Sequence, residues 1–385
     1  MSAVFGVAFT GDAEDRTARS GTPYGVLSGL RSLGVEAFAL KATMPTNVDR
    51  ALAALDGITH LAQRREWPSQ GKFKAAYQGA HLGRATSITR SLAARARTVR
   101  RDVTGVIALG SGYTVGIDVP YVIYDDMTVK QAIDLGYPAW RAMRETDRQY
   151  RLRQQVSVYS RAVKCCMTTQ WAADSVVSDY GIPESKVVVV GAGTHEERRN
   201  KARDWSTPRF LFVGKDWQRK NGPRVVRAFG SVRDRFPDAT LDVVGGHPVL
   251  DEPGVRTHGM LSRDDAGDRA TLAGLYEKAT CFVMPSIHEP GGVVLVEAAA
   301  SGVGCIAGSR GGSRDFVGDG GLVVDPFDDA QIVASMERFA DPEFAASHGS
   351  AAFTRSAHFT WPRVAERLLH ALVEDGGVTR STASR

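Results

Sequence analysis

The sequence predicts an α/β protein of two doubly wound, parallel-sheet domains, and three observations carry that expectation. Short apolar runs alternate with helical stretches along the chain, the pattern of strand-helix-strand units. The alternation breaks once, around residues 191–206, and then restarts. The length of 385 residues, with 43% hydrophobic and 24% charged side chains, is enough for two separate cores. The same apolar content argues against a disordered chain, and the unbiased composition against collagen-like or low-complexity sequence.

In the first half, apolar runs at 4–9, 35–40, 103–109, 121–124, 162–168 and 187–190 read as strands. The turn Ser20-Gly21-Thr22-Pro23-Tyr24 leads from the first of them into a helical stretch. The break holds Gly191-Ala192-Gly193, a polar run over 196–204, and Pro208. In the second half, 210–213, 240–244, 281–284, 304–307 and 321–324 read as strands. Residues 223–236, 272–279 and 293–300 read as helices. This places an N-terminal domain over 1–193 and a C-terminal one over 206–360. Val364, Leu368, Leu369 and Leu372 give the segment 361–375 an amphipathic helical pattern, and beyond it the chain is expected to fray. Two Rossmann-like halves would face each other across a central cleft, where ligands bind at strand C-terminal ends.

Several classes are disfavoured. Cys165, Cys166, Cys281 and Cys305 show no metal-ligand spacing and no disulfide framework, so reduced structural thiols in a cytoplasmic protein are expected. The N-terminus lacks a basic n-region and reads as a first strand, not a signal peptide. No run of about 18 apolar residues is present. His60 and His81 stand alone and read as structural or solvated, and Trp217 reads as packing ahead of a ligand-stacking role.

Two stretches carry the chemistry. In Pro285-Ser-Ile-His-Glu289-Pro-Gly291-Gly292-Val293-Val-Leu-Val-Glu297, a strand end leads through a loop with one acid into a helix with a second acid. The glycines allow close backbone approach, and a helix N-terminus offers N–H groups to phosphate or sugar oxygens. Glu297 could accept hydrogen bonds from a ribose diol. The bland alternative puts Glu297 on a solvated helix face and makes Glu289 a helix cap. Upstream, Val213-Gly214-Lys215-Asp-Trp-Gln-Arg-Lys220-Asn221-Gly222 closes the first strand of the second half. Lys215 and Lys220 could converge on a diphosphate, whose departure needs preorganised cations; a solvated basic turn is the alternative.

With these residues in place, the chain resembles the GT-B retaining glycosyltransferases of family 4, the glycosyl transferases group 1. Glu289–Glu297 matches the Glu-x7-Glu motif, and Val213-Gly214-Lys215 with Lys220 matches the phosphate motif, with Asn221 inserted before Gly222. Gly311-Gly312-Ser313-Arg314-Asp315 resembles the Gly-Gly-x-x-Glu loop, and Gly21 the first-loop glycine. The likeness is strong over 205–340 and weak over 1–190. It implies transfer of a sugar from a GDP- or UDP-linked donor with retention, the donor being a substrate and not a bound cofactor. By resemblance, Glu289 contacts the donor sugar, Glu297 the ribose, and Lys215 and Lys220 the diphosphate. Gly291, Gly292 and Val293 would meet sugar or phosphate oxygens, Gly21 would approach the phosphates, and the segment at Met260 would contact the base.

Two departures stand out. Where many members of the family carry a His, this chain reads Tyr124-Asp125-Asp126, so Asp125 or Asp126 is expected to bond the donor sugar or acceptor. Gly291 stands where an aromatic is common, which could widen the sugar pocket or have no consequence. No metal motif is found, and metal-independent front-face displacement is the expected route, the departing phosphate taking the acceptor proton.

The charge is uneven. Residues 1–190 hold 24 basic and 17 acidic side chains, net +7, and the remainder is net −2. Ten basic residues (Arg64, Arg65, Lys72, Lys74, Arg84, Arg90, Arg95, Arg97, Arg100 and Arg101) lie in 64–101 against Glu66 alone. Arg141, Arg144, Arg148 and Arg151 have the spacing of one helix face. A solvated face is the bland reading. The functional readings are a small anionic acceptor, which we favour together with tailoring of a specialised metabolite, and a membrane surface with a lipid acceptor. Nucleic acid is not expected. A degenerate GT-B protein that binds without turnover is the reading from a different class.

Overall fold

A computed structural model of the chain describes residues 3–43, 45–64, 81–99, 103–115, 119–195, 197–199 and 201–374. These fall into two compact units. The first takes the chain up to Gly191 together with the part from Pro362 onward, and the second spans Ala192–Trp361.

The first unit is built on a six-stranded parallel sheet. Its strands are β1 (Val4–Phe9), β2 (Glu36–Lys41), β3 (Gly105–Leu109), β4 (Tyr121–Asp125), β5 (Cys165–Met167) and β6 (Val187–Val189), in the order β2-β1-β3-β4-β5-β6. β3 and β4 are buried along their whole length, which is why they read as unbroken apolar runs. The register sets Val7 between Ala39 and Ile107. Helix Trp361–Val373 belongs to this unit from Pro362 on, with Val364, Leu368 and Leu372 fully buried. A Cβ added at Gly105 would lie 2.9 Å from the Leu372 side chain, so β3 and this helix pack in direct contact.

The second unit repeats the plan with β7 (Arg209–Gly214), β8 (Thr240–Gly245), β9 (Val255–Gly259), β10 (Cys281–Met284), β11 (Gly304–Gly308) and β12 (Gly321–Val324). Their order is β12-β11-β10-β7-β8-β9. The chain runs outward from β7 to β9 and then returns to β10 on the other side of β7. The loops after β7 and β10 therefore flank the point where strand order reverses, the usual ligand position in such sheets. Phe210, Phe212, Phe229 and Phe282 fill the core between sheet and helices.

Some elements differ from the sequence expectation. β9 carries no strand signal in the sequence, because Val-Arg-Thr-His-Gly is an edge strand with no continuous apolar run. Helices Asp329–Phe339 and Pro342–Ser356 were also not anticipated. Each starts at an Asp whose side chain accepts from a backbone N–H three residues on, Asp328 from Gln331 and Asp341 from Phe344. The helix expected from 272 starts at Ala266, capped by Asp265. The strand expected over 162–168 is only Cys165–Met167, because the preceding helix runs to Arg161. The four cysteines are free and buried. Trp217 packs edge-on against Phe212, ring centroids 5.4 Å apart, and a Cβ at Gly222 would meet its ring at 2.1 Å, so it is a packing anchor. His81 bonds Arg90 at 2.8 Å and is structural; the side chain of His60 lies outside the described residues.

Leu368→Ala removes a fully buried side chain from the terminal helix. It should lower the stability of the first unit by about 2–5 kcal/mol, read from urea unfolding.

Candidate functional site

The β10 loop and the β7 loop of the second unit are locked together around one carboxylate. Glu289 is 7% exposed, and its Oε2 pairs with Lys220 Nζ, accepts from Arg219 Nη1 at 3.1 Å and lies 3.4 Å from Ser286 Oγ. Its Oε1 accepts no hydrogen bond among the described residues. Burial works to raise the pKa of this carboxyl. The Lys220 and Arg219 charges outweigh it, so the net shift is downward and Glu289 is held ionised.

The backbone of Glu289 is fixed by the loop after β11. Glu289 N–H donates to the Arg310 carbonyl and Gly312 N–H to the Glu289 carbonyl, both at 3.0 Å. Gly311 sits at φ +120°, and a Cβ there would lie 2.0 Å from the Glu289 carbonyl oxygen, so only glycine permits this seat. The Gly311–Asp315 stretch thus supports the acid through its main chain. Asn221, which the sequence presents as an insertion, has a structural task. It takes left-handed φ 67° at the start of helix Gly222–Arg235, and its Nδ2 bridges the carbonyls of Pro285 (3.0 Å) and Pro326 (2.7 Å). Three loops meet on that one amide.

The two lysines expected to act together have different settings. Lys220 is buried on Glu289, whereas Lys215 is exposed and makes no ion pair among the described residues. Gly214 is buried, and a Cβ on it would crowd the Lys220 side chain at 2.9 Å. Helix Val293–Ala300 begins at Gly292, φ 93°, and no side chain caps it. Glu289 is therefore not a helix cap, and the N-terminal N–H groups are left to other partners. Gly291, Gly292 and Val293 are all half-buried there. Glu297 is not on a solvated face. It is fully buried, with Arg263 paired to Oε1 and the Tyr276 hydroxyl donating to Oε2 at 3.1 Å. Met260 is 56% exposed, just beyond β9.

In the first unit, Gly21 (φ 81°) is the third of three successive left-handed residues, after Arg19 (φ 45°) and Ser20 (φ 59°), and it opens helix Thr22–Ser32. Arg19 Nη1 would lie 3.3 Å from a Cβ at Gly110, itself at φ +85°. Asp125 ends β4, is 7% exposed, and accepts from Ser111 Oγ at 3.0 Å. Gln155 Nε2 in turn donates to Ser111 Oγ at 2.5 Å and to Tyr159 Oη at 2.8 Å. Burial, then the neighbouring Asp126 charge, push the Asp125 carboxyl up to about 6 against the pull of Arg19. Asp126 is half-buried beside it. Sequence reasoning missed Arg19, Ser111, Arg219 and Arg263. Their signal is tertiary, a partner brought from another loop.

The basic clusters are largely engaged within the first unit. Arg141 ends the short helix Pro138–Arg141, and a new helix, Glu145–Arg161, starts after Arg144, so the four arginines do not share one helix face. Arg144 pairs with Asp147 at 2.6 Å and Asp56 at 3.6 Å, and Arg148 with Glu145 at 2.7 Å. Arg151 is buried against Gln154, and burial followed by the Arg90 charge bring its pKa down to about 10. Arg90 lies 3.6 Å from Asp49, and Arg97 donates to the carbonyls of Lys41 and Thr43 at 2.7 Å. The Arg64 side chain and Arg65, Glu66, Lys72, Lys74, Arg100 and Arg101 lie outside the described residues. Among the described residues, no group of three or more potential metal ligands occurs and no helix is long and apolar enough to cross a membrane.

Residues 207–341 match the family model described as Glycosyl transferases group 1. The chain is 35% identical over 150 residues to a GDP-mannose-dependent alpha-(1-6)-phosphatidylinositol monomannoside mannosyltransferase of Mycolicibacterium smegmatis, covering 34% of this chain and 39% of that protein. It is 30% identical over 189 residues to a D-inositol 3-phosphate glycosyltransferase of Corynebacterium diphtheriae, covering 46% and 44%. It is 25% identical over 252 residues to a mannosylfructose-phosphate synthase of Agrobacterium fabrum, covering 58% and 55%. The chain thus spans about half the length of the curated relatives it matches. In fold it is similar to a sucrose-phosphate synthase from Thermosynechococcus elongatus, with TM-score 0.67 and 16% identity over 98% of this chain and 100% of that one. It is also similar to the lipopolysaccharide glycosyltransferase WaaG, at 0.61 and 13% over 96% and 100%. The fold is GT-B.

The raised pKa of Asp125 has a stability signature. The folded chain holds this proton more tightly than the unfolded one, so stability falls as pH rises from the unfolded pKa of 3.8 toward about 6. The span is roughly 2–3 kcal/mol. Asp125→Asn removes the titration. Relative to wild type, the variant should gain stability in urea unfolding at about pH 7.5 compared with about pH 4.

Proposed function

With residues 207–341 matching the family model described as Glycosyl transferases group 1, we propose that this chain is a retaining glycosyltransferase using a nucleotide-diphosphate sugar, GDP- or UDP-linked. The observation that carries the reading is Glu289. A buried, ionised carboxylate has one oxygen tied to Lys220 and Arg219 and the other unclaimed, on a loop that ends at an uncapped helix N-terminus. The unclaimed Oε1 suits a sugar hydroxyl, a neutral donor that a fixed carboxylate orients strongly. The uncapped N–H groups at Gly292 and Val293 suit phosphate or sugar oxygens.

The chemical step is substitution at the anomeric carbon. The bond to the donor phosphate oxygen breaks, the bond to the acceptor oxygen forms on the same face, and the departing phosphate takes the acceptor proton. Charge develops on that phosphate, and Lys220, with the exposed Lys215, supplies the compensating cations without a metal ion. Gly214 lets Lys220 lie close over the end of β7, Glu297 holds the ribose once Arg263 gives way, and Met260 lies toward the base. In the first unit, Gly21 gives the loop access to phosphate, and Asp125 or Asp126 bonds the donor sugar or the acceptor.

For the acceptor we infer a small anionic polyol. The names of the relatives carry an inositol phosphate, a fructose phosphate and a phosphatidylinositol, which makes a phosphate ester the first acceptor to test, ahead of a specialised metabolite. A lipid-borne acceptor at a membrane surface is the second reading, favoured by the phosphatidylinositol relative.

Thermal-shift screening against GDP, UDP, ADP and dTDP tests the donor, because stabilisation grows as RT ln(1 + [L]/Kd). One nucleotide should stand out, and no shift with any of them refutes the reading. With the matching nucleotide-sugar and inositol phosphate, turnover should persist in excess chelator and the product should keep the donor's anomeric configuration. Glu289→Gln should cut turnover by about 10²–10³. Nucleotide binding without turnover in wild type would favour the degenerate alternative.

A further inference from the structure

We propose that Arg219 is a positioning residue of the donor site, clamping the Glu289 loop so that one carboxylate oxygen stays available to the donor sugar. The proposal rests on the glycosyltransferase reading above and gives Arg219 a task of its own that the reading does not assign.

Arg219 reaches the β10 loop through both its main chain and its side chain. Its carbonyl accepts from Ile287 N–H at 2.8 Å. Its Nη1 donates to the His288 carbonyl and to Glu289 Oε2, each at 3.1 Å. Its own position is set from the opposite side, where Asp216 Oδ1 accepts from Arg219 N–H at 3.1 Å. Three consecutive residues, 287 to 289, are thus held from a single position on the β7 loop. Lys220, next in the chain, pairs with Glu289 at the same oxygen.

The geometry separates two tasks. Lys220 supplies charge to the buried acid, and a compact ammonium can do that alone. Arg219 spends the two N–H bonds of its one Nη1 group on a carbonyl and a carboxylate, in directions fixed by the guanidinium plane, whereas the rotating ammonium of a shorter lysine fixes neither. Because both cations converge on Oε2, Oε1 is left without a protein donor. Removing Arg219 would take away its bond to the His288 carbonyl and leave Glu289 with one cation, and the acid could then turn its second oxygen inward. Sugar recognition would suffer, while contacts to the nucleotide would not.

The test compares Arg219→Gln and Arg219→Lys with wild type by titration calorimetry. The probes are GDP-mannose against GDP, and UDP-glucose against UDP. For the pair that wild type binds, Arg219→Gln should weaken the nucleotide-sugar about tenfold and the bare nucleotide by less than about twofold. Arg219→Lys, which keeps charge and is the milder change for folding, should lose affinity for the sugar form only, by a smaller factor. Equal losses for sugar and bare nucleotide would overturn the proposal in favour of a direct diphosphate contact. Unchanged binding in both variants would overturn it outright. If wild type binds none of the four probes, the glycosyltransferase reading itself fails, and the positioning role falls with it.

Discussion

The second unit depends on keeping one carboxylate charged in a place where water barely reaches. An isolated ionised acid is costly to bury, so Glu289 must be paired and hydrogen-bonded to stay there. Its partners, Lys220 and Arg219, sit at the start of helix Gly222–Arg235, and that start is fixed by Asn221 bridging Pro285 and Pro326. Its backbone is pinned by Arg310 and Gly312. Loops from β7, β10, β11 and β12 are thereby drawn to one end of the sheet. Taking away a partner does more than weaken an ion pair, because it leaves a buried charge uncompensated.

The two acids of the Glu-x7-Glu pair look alike in sequence and differ in the structure. Glu289 offers one oxygen, whereas both oxygens of Glu297 are taken, one by Arg263 and one by Tyr276. The spacing alone could not distinguish these states. Tyr276 comes from helix Ala266–Lys278 and Arg263 from the loop ahead of it. Glu297 is thus coupled to the segment that also carries Met260, and a ligand that engages Glu297 must act on that segment too.

Much of the fold could be read from the chain because buried parallel strands leave unbroken apolar runs, as at Gly105–Leu109 and Cys281–Met284. Edge strand β9 could not, since one side of Val-Arg-Thr-His-Gly meets solvent and its pattern is mixed. Of the candidate site, the pairing of Lys220 with Glu289 follows the order of the two loops, whereas Lys215 stands exposed and apart from it. Arg219 was hidden in plain view between Lys215 and Lys220, because its importance comes from the carbonyl of His288, 69 positions away. The apparent basic stripe at 141–151 failed for a related reason. Residues 142–144 break the helix, and Asp56, Asp147 and Glu145 answer the arginines around the break.

The first unit carries its own conflict between local preference and tertiary placement. Arg19 and Ser20 take left-handed conformations, each costing roughly 1–2 kcal/mol in a residue with a Cβ. Glycine would avoid the cost at both places, yet only position 21 has it. The strained turn sets the location of the Arg19 guanidinium, which lies 3.3 Å from where a Cβ at Gly110 would stand and acts on the charges of Asp126 and Asp125. Those charges raise the Arg19 pKa despite the desolvation that opposes them. Asp125 in turn sits at the head of a chain through Ser111 and Gln155 to Tyr159, so its carboxyl has a fixed direction as well as an elevated pKa. The strained turn and the buried acid thus hold each other in place at the C-terminal end of the sheet, the backbone cost of one set against the charge of the other.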